Sequence, residues 1–302
     1  MMPAWEGMLL IDKPAGPTSH DVVDRLRRVT GQTRIGHTGT LDPPATGLLI
    51  LLLGTATRLA AYLPSAPKRY EGSFRLGVTT LSDDLAEPVL ERHEGALPAD
   101  AAVRAEAAKL VGRGWQSPPS ISARHVAGRR LYRAARRGVP LSAPAREIEV
   151  DRFDVRPSSE TGLWTFESSV SSGTYVRALV RDLGAALGCG AAVASLRRTG
   201  IGALDVADAV PVDRVEGLAK ALTPIDRLPL SVPSTALNAQ AAEGFRHGRI
   251  FESVLPAGMV AVRDGEGALV GIGEVAGGRL KPRVVLVAGG EAAVITSARS
   301  SS

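Results

Sequence analysis

The chain has a single cysteine, Cys189, so it can close no internal disulfide and cannot build a Cys-rich zinc site. A reducing cytoplasm is the natural setting for such a chain. Aromatic residues make up only 4% of its 302 residues, which leaves Ala, Val and Leu to supply most of a core. The longest purely apolar run, Leu48 to Leu53, falls far short of the roughly 20 residues that a membrane-spanning helix needs. Met1 to Gly7 carries Glu6 and no basic cluster, which argues against a secretory leader. No Gly-x-Gly-x-x-Gly turn follows the first strand pattern and there is no Walker-type loop, so neither a nucleotide cofactor nor a metal is expected. Residues 115–146 contain no Asp or Glu at all.

The apolar fraction of 44% suits a globular protein with a sizeable core, and the length suggests about two domains. With 33 glycines and 20 prolines, the chain turns often, which fits a mixed α and β architecture better than a helical bundle. Lys and Arg number 36 against 31 Asp and Glu, a net charge of +5 that favours a polyanionic partner. The distribution says more. Six arginines fall between Arg124 and Arg137, with His125 and Tyr132 among them and no acid. Phosphates dominate affinity for nucleic acids, so Arg124, Arg129, Arg130 and Arg133 are candidates for RNA contact.

Patterning places the elements. Met8 to Ile11 reads as a short strand. Thr18 and Ser19 offer an N-cap to a helix whose stripe is Val22, Val23, Leu26 and Val29 and which ends near Gly31. Residues 31–47 read as a long loop, and Leu48–Leu53 as a buried strand or the start of a helix, since periodicity alone does not separate the two. Lys68–Gly77, Glu147–Val155 and Leu163–Val170 alternate as strands; Ala99–Val111 and Tyr175–Leu187 read as helices, the second closed by Gly188. Three prolines interrupt Thr223–Pro233 and mark a boundary. The expected division is a catalytic unit of residues 1–228, with a basic insertion at about 115–146, and a β-rich unit of residues 229–302 ending in a flexible tail.

The segment from Gly36 to Gly47, with His37, Asp42, Pro43 and Pro44 inside it, is the most informative. Flanking glycines take backbone dihedrals closed to other residues and the prolines stiffen the exit, a reasonable way to present a histidine and a carboxylate. Taken alone, Asp before Pro is also an ordinary turn.

The whole string, Gly36-His37-Thr38-Gly39-Thr40-Leu41-Asp42, resembles the active-site signature of the TruB family of tRNA pseudouridine-55 synthases, in which the Asp is catalytic. Further elements appear in the family's order across residues 7–200: Leu9-Leu10-Ile11-Asp12-Lys13-Pro14 with Gly16, Lys68-Arg69-Tyr70, Ser172-Gly173-Thr174-Tyr175-Val176-Arg177, and Leu187-Gly188-Cys189-Gly190 followed by Leu196-Arg197-Arg198.

The resemblance implies an α+β fold with a mixed, mainly antiparallel sheet and a small C-terminal PUA-like β domain. It implies a cofactor-free isomerisation of uridine to pseudouridine in the TΨC stem-loop of tRNA, by a cytoplasmic monomer that needs no protein partner and no membrane. Asp42 is then the nucleophile. Burying a carboxylate beneath a base disfavours its charged form, so a bidentate cation is needed, and the resemblance assigns that role to Arg177. Tyr70 would lie against the base, by stacking and in the proton transfer at C5. His37 would hold the nucleotide out of the stem or fill the vacated space, because extracting a base costs a few kcal/mol. Leu196 supplies an apolar wall, Tyr175 joins the RNA-binding set, and Lys13 supports the loop or an RNA phosphate. Tyr70 and Leu196 read equally well as core residues.

Two departures from the family pattern stand out. Where the family has Thr-Asp-Thr-x-Asp, this chain has Thr80-Leu81-Ser82-Asp83-Asp84, so only Asp84 matches the second acid. Where it often has Ser-Ala-x-Lys, this chain has Ser122-Ala123-Arg124-His125. Two other functions remain as alternatives: an RNA-binding module without catalysis, which needs the arginines but not Asp42, and a two-carboxylate glycoside hydrolase, which would need Asp84 as its second acid.

Overall fold

The computed structural model describes residues 5–119, 125–126, 129–130, 144–212 and 215–286. Strand β1 (Gly7–Lys13) leads into helix α1 (Ser19–Thr30). Thr18 and Asp21 form a reciprocal capping box at its start, and Gly31, at φ 67°, closes its end in the left-handed region. Strand β2 (Thr46–Leu53) follows, then β3 (Lys68–Leu76), α2 (Asp100–Lys109), β4 (Gly112–Gln116), β5 (Arg146–Pro157), β6 (Leu163–Val170), α3 (Val176–Ala186), β7 (Ala191–Ile201) and β8 (Val210–Pro211). Among the described residues these strands and three short additions build one 11-stranded sheet with the spatial order β8-β1-β2-β7-β3-β6-β5-β4. Most neighbours run antiparallel; β2 with β7 and β1 with β8 run parallel. The sheet is mixed and mainly antiparallel, as expected.

The run Leu48–Leu53 is a strand. Leu48, Ile50 and Leu52 pack into one apolar cluster and Leu49, Leu51 and Leu53 into another, on opposite faces. A strand covered on both sides has no polar face to alternate with, which is why its sequence carries no period. The loop expected at 31–47 contains one short strand, Ile35–His37, paired along β2. Helix α1 covers one face through Val22, Val23 and Leu26. Helix α3 packs Leu179 and Leu183 with Phe74, Trp164 and Phe166 at the other end of the sheet.

After α4 (Val215–Ala221) the chain forms a second, five-stranded sheet among the described residues, from β9 (Ser234–Ala236), β10 (Phe251–Glu252), β11 (Gly258–Arg263), β12 (Leu269–Ala276) and β13 (Arg279–Val285), with α5 (Ala239–Arg246) against it. It is a curled β module, consistent with the expected PUA-like domain. Ala261, Leu269, Ile272 and Val284 join the cluster that holds Met8, Leu10 and Leu48, so an apolar contact joins the two sheets. The tail from 287 lies outside the described residues. Among the described residues no helix is long and apolar enough to cross a membrane.

Candidate active site

Main-chain and buried contacts hold the loop that carries Asp42. Ser19 on α1 accepts the Leu41 amide at 2.9 Å and returns its hydroxyl to the Leu41 carbonyl at 3.1 Å. Lys13, fully buried, donates to the carbonyls of Pro14 (2.8 Å) and Pro43 (3.1 Å), and the Gly16 amide reaches the same Pro43 oxygen at 2.8 Å. Arg198, 1% exposed, donates to the carbonyls of Leu48 (2.7 Å), Gly39 (3.2 Å) and Thr40 (3.5 Å). Gly47 brings this arginine's own backbone close: at φ 98°, a Cβ there would sit 2.2 Å from the Arg198 carbonyl. Two buried cations thus fix the backbone on both sides of Asp42 and leave its carboxylate free of intraloop duty.

That carboxylate meets Arg177. The Arg177 Nη2 lies 2.8 Å from Asp42 Oδ2, with the arginine side chain 5% exposed and the aspartate side chain 39% exposed. Arg177 Nη1 donates to the Ser82 carbonyl, so one end of the guanidinium is anchored and the other is offered to Asp42. The pair opens into a cleft of about 300 Å³ whose lining includes Asp42, Tyr70, Tyr175, Arg177 and Leu196. The arrangement sets a partly exposed carboxylate in the lining of a cleft, paired with a buried arginine.

Residues 27–176 match the family described as "TruB family pseudouridylate synthase (N terminal domain)". Residues 177–228 match "tRNA pseudouridylate synthase B C-terminal domain", and residues 233–286 match "Pseudouridine synthase II TruB, C-terminal". A curated relative from Synechococcus elongatus, named tRNA pseudouridine synthase B, is 42% identical over 293 residues, covering 94% of this chain and 99% of the relative. The chain belongs to the TruB family. A second relative of the same name, from Thermobifida fusca, is 39% identical over 93% of this chain and 98% of its own length. A solved structure of an H/ACA RNP bound to a substrate RNA containing 2'-deoxyuridine superposes with a TM-score of 0.69 over 94% of this chain and 86% of that one. At 24% identity that is a likeness of fold.

The TruB motif residues divide into two groups in space. Asp42, Tyr70, Tyr175, Arg177 and Leu196 share the cleft; Lys13 and His37 do not line it. Tyr70 is 8% exposed and belongs to the core cluster of α2 and α3, so it is a core aromatic and a cleft wall at once. Leu196 bridges two clusters in the same way. Lys13, with both partners in the loop, fits the loop-supporting reading; it is buried, not open to an RNA phosphate. Burial brings its ammonium down to about 8, against the opposing pull of Asp42 and Asp21. His37 sits on the short strand with its Nδ1 facing the Gly39 amide at 3.4 Å, and burial, then His20 and Arg198, lowers its pKa. Arg124 and Arg133 lie outside the described residues; for Arg129 and Arg130 only the backbone is described, as a two-residue strand paired with His125–Val126.

Several residues around the cleft carry no role in the sequence reading, although Lys68 and Arg197 stand inside its quoted motifs. Buried Gln116 clamps the Tyr175 backbone from both sides, accepting its amide (2.8 Å) and donating to its carbonyl (3.1 Å). Lys68 and Arg146 line the cleft. Arg197 makes a two-pronged pair with Asp12 (2.9 and 2.7 Å), tying together two motif elements that are 185 residues apart. The signal for Arg197 and Arg198 was their presence in the Leu-Arg-Arg element; what they grip, carbonyls and one distant acid, has no sequence signature.

Asp84 is buried and engaged within its own turn: its carboxylate accepts the Ala86 amide at 2.8 Å, and Thr80 Oγ1 accepts its amide at 2.9 Å. Burial raises its pKa, against the Ala86 amide and Arg177. It does not line the cleft, which leaves a two-carboxylate hydrolase without its second acid there.

The neighbouring Asp83 adopts φ 62°, a left-handed conformation that Asp and Asn tolerate better than most residues, and lies 3.4 Å from Arg181, one turn beyond Arg177 on α3. Burial pushes its carboxyl up to about 6, with Arg181 and Arg177 opposing and Asp182 assisting. A carboxyl with a raised folded pKa holds more protons folded than unfolded, so it contributes stability below its ordinary value of 3.8 and loses it as pH rises through about 6. The span is worth on the order of 3 kcal/mol. Asp83→Asn is therefore expected to melt progressively higher than the parent as pH rises from 4 to 6, and to stay higher at pH 7. A constant difference in Tm across that range would contradict the assignment.

Proposed function

We propose that this TruB-family protein, an isomerase acting on tRNA, converts the position-55 uridine of the TΨC loop to pseudouridine, with Asp42 as the nucleophile and the target nucleotide flipped out of its stem-loop. The observation that carries the reading is the 2.8 Å pair between Asp42 and a buried Arg177 at the floor of an open cleft. The reaction breaks the glycosidic C–N bond, turns the base and joins its C5 to the ribose carbon. The C5 hydrogen leaves as a proton and the former glycosidic nitrogen gains one. Nothing is oxidised, so the chemistry needs a nucleophile that can also leave, and a carboxylate meets that need.

In this reading Tyr70 stacks on the flipped base, a contact worth about 1–3 kcal/mol, with Leu196 as the apolar wall opposite and Tyr175 beside it. His37 stands in the space from which the nucleotide departs. The arginines of residues 124–137 grip the stem-loop, residues 1–228 form the catalytic unit, and residues 229–302 contact the acceptor end of the tRNA. The protein acts as a monomer in the cytoplasm. Mapping pseudouridine in a tRNA transcript after incubation with the purified protein tests the specificity. One modified site in the TΨC loop is expected, and none when that uridine is replaced by cytidine. Modification of other loops with equal efficiency would overturn it.

A further inference from the structure

The cleft above Asp42 contains more positive charge than its own chemistry uses. Of its cations, Arg177 is committed to Asp42 and Ser82. Lys68 and Arg146 remain. Lys68 enters from the start of β3 and passes close to the Asp42 loop: a Cβ built on Gly39 would lie 3.8 Å from its Nζ. Arg146 enters from the start of β5 and lays its guanidinium over the Tyr175 ring, 4.9 Å from the centroid. Its Nε and Nη2 are shielded from solvent and have no hydrogen-bond partner among the described residues. Buried donors without acceptors are uncommon, and each costs free energy unless something arrives to satisfy it.

The space for that guanidinium is prepared. Gly173, at φ 90°, belongs to the motif that ends in Arg177, and a Cβ there would meet Arg146 Nη1 at 2.8 Å and Cζ at 3.1 Å. Glycine at this position lets the arginine lie in the cleft. The nearest charges to Lys68 repel it: burial, then Arg198 and Arg146, brings its ammonium down to about 8. Residues 115–146 contain no Asp or Glu, so that stretch offers these cations no carboxylate. An oxyanion from outside the chain would satisfy the bare donors of Arg146 and offset the repulsion on Lys68 together.

We infer that Lys68 and Arg146 form a seat for one phosphodiester flanking the target uridine, inside the cleft and separate from the basic stretch that grips the stem. The inference rests on the proposed function and names the part of the substrate that this corner of the site holds. Fixing a phosphate next to the reacting nucleoside orients the ribose against Asp42, so the seat acts on positioning as well as on affinity.

A chemical cycle tests it. Stem-loop RNAs carrying a neutral methylphosphonate in place of the phosphodiester, either 5′ or 3′ of the target uridine, are compared with the unmodified RNA. The proteins are the parent, Lys68→Met and Arg146→Met. With the parent protein, one of the two neutral linkages is expected to lower kcat/KM by about 10- to 100-fold, the range of a charge-assisted contact. On that same RNA the Lys68 and Arg146 variants are expected to show little further loss, although each is impaired on the unmodified RNA. Full activity of the parent on both methylphosphonate RNAs would overturn the seat without touching the protein fold. So would losses that simply multiply between protein variant and neutral linkage. Failure of the parent to isomerise the unmodified RNA would instead sink the functional reading on which the inference stands.

Discussion

Arg177→Met is expected to lower the rate of pseudouridine formation by about 10²- to 10³-fold while leaving tRNA affinity within a few-fold of the parent. The guanidinium is the buried member of its pair, 5% exposed, and it bridges the Ser82 carbonyl and Asp42. Removing one partner of a buried ion pair costs about 3–5 kcal/mol, chiefly because the other charge is left unpaired. In the free protein Asp42 is 39% exposed and water can take over much of that role. Once a nucleotide covers the cleft, water is excluded and the full loss falls on the chemical step. Each 1.36 kcal/mol is a factor of ten in rate, so roughly 3–4 kcal/mol of lost stabilisation yields the stated range. Arg177→Lys keeps the charge but gives up the planar fork that reaches both acceptors, and is expected to recover part of the loss. Single-turnover kinetics with saturating protein separates this effect from binding. A rate within threefold of the parent for Arg177→Met would remove the guanidinium from the mechanism.

The elements that could be read from the sequence are those whose stability is local. Thr18 with Asp21 and Gly31 bound α1 by capping, and the alternation of Tyr70, Gly72, Phe74 and Leu76 defines a strand with one covered face. Leu48–Leu53 could not be assigned because tertiary packing on both faces removes any period. The same division holds in the site. Asp42 and Arg177 were legible because each lies in a distinctive string of residues. Arg198, Arg146 and Gln116 work through carbonyls, a ring and distant backbone, and those partners become neighbours only when the sheet closes. Lys13 shows the limit from the other side: its motif leaves loop support and an RNA phosphate both open, and only the fold turns its ammonium inward onto Pro14 and Pro43. Asp83 stands in the sequence only as a departure from the family string, and its pairing with Arg181 depends on a helix turn nearly 100 residues away.

Asp42→Asn carries the largest expected effect. The substitution preserves shape, and the contacts that hold the loop are made by the main chain of Leu41, Pro43 and Gly39, with the Ala45 amide on the Asp42 carbonyl at 3.1 Å. The backbone therefore keeps its place, and so do the cleft walls that a nucleotide would touch. An amide oxygen is far too weak a nucleophile to replace a carboxylate, and loss of a nucleophile costs at least about 10⁴ in rate. The decisive measurement is the single-turnover isomerisation rate of a tRNA transcript by Asp42→Asn, with the dissociation constant for the same RNA determined in parallel. The account predicts binding within a few-fold of the parent and a rate at least about 10⁴-fold lower. A folded Asp42→Asn protein that binds the tRNA and still isomerises it at a rate close to the parent's would contradict it.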